Sequence, residues 1–140
     1  MAFSINYKEL SAYISSVTLM KNDFNKFLRE FLLEMADRVL ARVKPRTPVG
    51  DTGELKRHWE LGDIKGEGRN ISVEILNGME YATDIEYGHR IMGGPGHSIE
   101  VGWYEGRFML KISIDEIRKQ MPIRYQNEFK KFCMEHGLAI

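Results

Sequence analysis

The stretch "NDFNKFLREFLLEMADRVLARVKPRTP", Asn22 to Pro48, decides the fold. Phe24, Phe27, Leu28, Phe31, Leu32, Met35, Val39, Leu40 and Val43 recur at the i, i+3, i+4, i+7 spacing that gathers apolar side chains on one helical face. Asn22 offers an N-cap acceptor, and Asp23 lies in the first turn, where the helix dipole favours an acid. Pro45 and Pro48 remove backbone donors and restrict the residues before them, so the helix should stop there. The spacing predicts a long amphipathic helix over residues 22–44, with Phe27, Phe31 and Met35 buried against a sheet. Upstream, residues 4–20 lack a clean period. Tyr7, Leu10, Tyr13, Ile14 and Val17 fit a separate short helix.

Downstream the period changes. Residues 59–65 and "ISVEI" (Ile71–Ile75) read as strands, joined by the turn residues "GEGRN" into a hairpin. Asn77-Gly78 is a further turn signal. "YATDIEY" places Tyr81, Ala82 and Ile85 at helical spacing, with Gly88 as its C′ residue. "GHRIMGGPGHS" reads as a flexible loop, and "IEVGWYE" as a short strand around Ile99, Val101 and Trp103. The segment Gly88 to Gly106 is thus expected to hold little regular structure, with a mobile tip at Gly93, Gly94 and Gly96. A helical pattern resumes from Gly106, Pro122 should break or kink it, and residues 123–136 form a further helical segment that ends at Gly137. This order predicts an α+β fold: one domain over residues 1–140, with a small antiparallel sheet packed against a long N-terminal helix and a C-terminal helix. Residues 122–137 are a C-terminal helical extension.

Bulk properties exclude several classes. The chain has 140 residues, 43% of them apolar, enough for one ordinary core. Twenty basic residues offset twenty acidic ones, so the basic excess of a duplex-binding domain is missing, and self-association meets little net repulsion. The single cysteine, Cys133, can form neither an internal disulfide nor a thiolate metal site by itself, and its apolar helical neighbours favour a packing role. No apolar run approaches the ~18 residues of a membrane span. The opening "MAFSINYKEL" lacks the pattern of a signal peptide, so a soluble product of the cytoplasm is expected.

Candidate chemistry is sparse. Asp51-Thr52-Gly53 matches the aspartic-protease triplet, but that chemistry needs two buried carboxylates about 3 Å apart sharing one proton. Here "PRTPVG", with two prolines and a glycine, precedes the triplet and the charged "ELKRHW" follows, a context that suits an exposed turn. Asp51 and Glu54 have the spacing of a capping box, which makes Asp51 the expected N-cap of the next element. His89 and His97 flank the glycine-rich segment near Asp84 and Glu86, without the spacing of a metal motif. Tyr81, Tyr87, Trp103, Tyr104 and Phe108 bracket that segment, with Arg90 and Arg107 among them. They read either as a core that the loop connects or as an association surface, since Tyr, Trp and Arg are enriched at interface centres.

Four pieces in order, a long amphipathic helix, "RTPVGDTGELKRHW", "MEYATDIEYGHR" and "GWYEGRFMLKISIDEI", resemble the tail-completion (head–tail joining) protein family of tailed bacteriophages and prophages. The resemblance covers roughly residues 22–120. Gly50 is an insertion in the family's usual Pro-Val-Asp-Thr-Gly. The resemblance implies that Asp51, Thr52 and Gly53 form a structural turn, with no catalytic residue and no cofactor or metal. It implies a homo-oligomeric ring, commonly of six copies, in the neck of the virion, assembled in the host cytoplasm. The implied partners are the tail tube or tail terminator protein and head connector proteins, with no specific nucleic-acid binding and no membrane. The surface expected to serve these contacts comprises Tyr81, Glu86, Tyr87, His89, Arg90, Ile91, Met92, Trp103 and Arg107. A tail-terminus protein of a headless phage-tail-like particle, and an aspartic-protease-like hydrolase through Asp51, are the alternatives.

Overall fold

The computed structural model describes residues 7–67 and 70–137. Helix α1 runs unbroken from Tyr7 to Arg46. The expected boundary near residue 22 is therefore absent, and Asn22 lies inside the helix instead of capping it. Neither Gly nor Pro occurs between Tyr7 and Lys44, so each added residue simply propagates the helix. Its last turn tolerates Pro45 and ends at Arg46, two residues past the predicted end at residue 44.

Helix α4, Met109–Glu135, lies antiparallel to α1: Val43 near the end of α1 clusters with Met109, while Phe24 meets Phe132 at the other end. The α1 stripe thus packs chiefly on a helix, not on the sheet. Phe31, Met35 and Val39 are buried with Ile117, and Leu110, Ile114, Met121 and Tyr125 close around them. The sheet's contribution there is Ile75. Phe27 is half-buried and packs on Tyr125, Phe129 and Phe132. Pro122 does not break α4, although it removes one intrahelical donor. Ile117 and Met121 before it, and Tyr125, Phe129 and Phe132 after it, all seat on α1, and this shared burial carries the helix through. Cys133 is buried in the last turns of α4.

A second cluster closes the other end. Val43 and Met109 are fully buried, with Leu55 and Trp59 beside them. The Trp59 indole N–H donates to Thr47 Oγ1 at 2.8 Å, and that hydroxyl donates to the Val43 carbonyl at 2.7 Å. The polar seam is Glu116, which accepts from Arg42 Nη1 at 2.6 Å and from Arg46, while Arg46 also donates to Ser113 Oγ. The hydrogen bond from Arg42 is the main reason that Glu116 is held below its ordinary pKa. Desolvation opposes it, and Arg46 adds to it.

Between the helices the chain forms α2 (Glu54–Arg57), β1 (Trp59–Lys65), β2 (Ser72–Asn77), α3 (Ala82–Tyr87), β3 (Gly88–Gly93), a 3-10 turn at Pro95–His97, and β4 (Ile99–Glu105). The class is α+β. The strands make two antiparallel pairs, β1–β2 and β3–β4, in place of one sheet. The larger departure is the segment Gly88 to Gly106. Its glycine-rich composition suggested an irregular loop, but it is a hairpin with Arg90 opposite Trp103 and His89 opposite Tyr104.

Candidate interaction surface

The turn after α1 carries the Asp-Thr-Gly triplet. Asp51 is exposed and is not the N-cap of α2. That place belongs to Gly53, whose φ of 70° is left-handed and suits glycine. Thr52 Oγ1 accepts from the Glu54 amide at 3.3 Å, and the Glu54 carboxylate pairs with Arg57 and His58 instead of reaching back to close a capping box. Gly50, also at positive φ, lets the turn swing round so that the Gly53 amide reaches the Val49 carbonyl. The triplet is thus a turn between two elements.

Glu86 lies in the last turn of α3 and is buried. Its two carboxylate oxygens accept from the amides of Leu110 at 2.9 Å and Lys111 at 3.0 Å. These are among the first donors of α4, which have no partner inside that helix. A carboxylate at the positive helix end is also favoured by the dipole. The Arg107 and Phe108 amides donate to the Ile85 and Glu86 carbonyls, so the two ends of the 88–106 segment are clamped together. Phe108, the N-cap of α4, is held by this clamp at a left-handed φ of 47°. The glycines at the root have no room for a side chain. A Cβ on Gly106 would lie 2.6 Å from the Glu86 carbonyl oxygen, and one on Gly88 would lie 2.5 Å from that of Tyr104.

From this root the β3–β4 hairpin projects as an arm whose one extensive tertiary contact is with α3. Its apolar residues are left open: Val101 is 62% exposed, Ile99 54% and Trp103 51%, with Ile91 and Met92 also exposed. Tyr81, Tyr87 and Phe108 continue the exposed apolar surface around the root, Tyr87 edge-on to Phe108. The bracketing aromatics are therefore mostly surface, not core. His89 stacks on Tyr104 with ring centres 5.0 Å apart. The Arg90 and Arg107 side chains are exposed and form no ion pair among the described residues.

The structure thus brings together Tyr87, His89, Arg90, Ile91, Met92, Trp103 and Arg107, with Tyr81 at the start of α3. Glu86 is committed within the protomer. Ile99 and Val101 belong to the surface as well. Their alternation with Trp103 marked a strand, yet did not reveal that this face stays uncovered. Among the described residues, no group of three His, Cys, Asp or Glu side chains could hold a metal ion, and no helix is long and apolar enough to cross a membrane.

Comparison with known proteins adds one match. The HK97-gp10-like family model, described as "Bacteriophage HK97-gp10, putative tail-component", matches residues 8–88, more than half of the chain. The matched span runs from α1 through α3 and stops at the root of the arm. No curated protein and no solved structure matches the chain.

Proposed function

The chain belongs to the HK97-gp10-like family of bacteriophage tail components, and from that premise we propose that it is a structural protein of the virion neck, forming a ring at the end of the tail that faces the head. In this reading the ring is a homo-oligomer, commonly of six copies. One side seats on the tail tube or tail terminator protein, and the other meets head connector proteins. The role is to join surfaces, not to catalyse.

The observation that carries the reading is the arm, which projects Ile91, Met92, Ile99, Val101 and Trp103 beyond the protomer's own core. A two-stranded hairpin is marginal by itself in water, and an apolar patch of this kind on a tail component is suited to a neighbouring subunit. Contacts between two different patches generate a ring when the rotation closes. The even balance of twenty basic and twenty acidic residues suits a lumen that passes DNA without gripping it.

Complementation of particles made without this chain tests the reading. Filled heads and finished tails should accumulate apart, and adding the purified protein should restore infectious particles. Normal particles in its absence, or tails that never polymerise, would contradict a joining role.

A further inference from the structure

We infer that the end of the α1–α4 pair far from the arm is a pH-gated latch: the doubly protonated ring of His136 ties the last turn of α4 to α1, and loss of one proton releases that turn together with the thiol it shelters. The tie is made of two contacts. His136 Nε2 lies 2.9 Å from Asp23 Oδ2 on α1, and Nδ1 lies 2.8 Å from the Phe132 carbonyl of its own helix. A carboxylate and a carbonyl can only accept, so each bond needs a hydrogen on the ring. A neutral imidazole carries one. Whichever nitrogen keeps it, the other then points a lone pair at an oxygen, and one of the two contacts turns repulsive.

The surroundings favour the charged ring. Asp23, Lys26 and Glu30 from α1, with Glu128, Lys131 and Glu135 from α4, line the groove around it. Lys26 pairs with Glu30 and Lys131 with Glu128, which leaves Asp23 and Glu135 to act on the imidazolium. His136 is also the C-cap of α4, where the helix dipole favours a positive charge. Of these residue types, histidine is the one that ordinarily changes charge near neutrality. The ring stacks on Phe132 with centres 4.1 Å apart, and Phe132 in turn packs on Phe24 and Phe27. Met134 and Glu135 are exposed, so beyond Cys133 the turn is bound to α1 through His136. Helices open from their ends, and a weakened tie therefore acts first on Cys133, one turn inward and 4% exposed.

Cys133, the single cysteine of the chain, is the reporter. Full-length protein is alkylated with iodoacetamide from pH 6 to pH 9. Each rate is divided by that of a peptide of residues 129–137, which cancels the pH dependence of the thiolate itself. The ratio should be low and flat below pH 6.5 and rise about threefold or more as the pH climbs past the folded-state value. His136→Gln should raise the ratio at pH 6 and flatten the profile, and Asp23→Asn should move the rise to lower pH. Hydrogen exchange, corrected for its intrinsic pH dependence, separates a local from a global change: amides 130–136 should follow the thiol while amides 109–120 stay slow. A flat wild-type ratio, a His136→Gln profile that still rises, or a rise that stays in place in Asp23→Asn would overturn the latch. So would equal acceleration of amides 109–120, which would make the change a loss of the whole fold instead of the release of one turn.

Discussion

The Glu86 carboxylate accepts the backbone N–H of Leu110 at 2.9 Å, across 24 residues of sequence. With the Lys111 amide on its other oxygen, this one side chain, in the last turn of α3, caps the start of α4 and ties it to the root of the arm. Glu86→Ala should cost about 2–3 kcal/mol, the range for losing charge-assisted hydrogen bonds to helix-terminal donors. Glu86→Gln keeps an acceptor and should cost clearly less. Denaturant unfolding of the three proteins checks this, and equal stabilities would mean that the cap contributes nothing.

The α1–α4 seam supplies the largest single loss. Phe31 is buried between Met35, Tyr125 and Ile117, so Phe31→Ala should cost about 3–5 kcal/mol. Wild-type stability in that variant would show that the stripe does not form the core.

At the far end of the seam, His136 Nε2 lies 2.9 Å from Asp23 Oδ2, and its Nδ1 lies 2.8 Å from the Phe132 carbonyl. Both ring nitrogens face acceptors, so the imidazolium fits the site. The hydrogen bond to Asp23, then that to Phe132, raises the His136 pKa above its ordinary 6.5. A raised folded-state pKa gives stability that is fully present below 6.5 and is lost as pH rises through the folded value. Asp23→Asn should therefore lower the thermal midpoint at pH 6 and have little effect at pH 9. The same decrement at both values would rule out the charged pair as its source.

Gly106→Ala should disturb the root without touching the core, because its Cβ would overlap the Glu86 carbonyl. Hydrogen exchange of residues 88–105 should accelerate in that variant while residues 109–120 change little. Unchanged exchange in the arm would show that the root does not hold it.

Long periodic elements were legible in the sequence because burial selects the period directly, as the Phe27 to Val43 stripe and the "ISVEI" alternation illustrate. Two expected breaks are absent. Pro122 carries a local cost that long-range packing of Tyr125 and Phe129 outweighs, and the stretch before Asn22 has irregular polarity but nothing that interrupts a helix. The arm was obscured by its glycines, which serve tight approach at the root and turn geometry at the tip, although composition alone reads as a loop. Of the candidate surface, the aromatic and arginine residues could be read from their types. The cap made by Glu86 could not, since its partners are backbone amides of a distant element, and no side-chain pattern marks them.

The central claim is that this tail component closes on itself head-to-tail through its arm. Electron-microscope imaging of the concentrated purified protein, or of isolated tail ends, tests it most directly. The account predicts closed rings in which each β3–β4 hairpin lies against a neighbouring copy, and loss of those rings with Trp103→Ser. Two-fold dimers, monomers at every concentration, or rings in which Trp103 faces open solvent would contradict it.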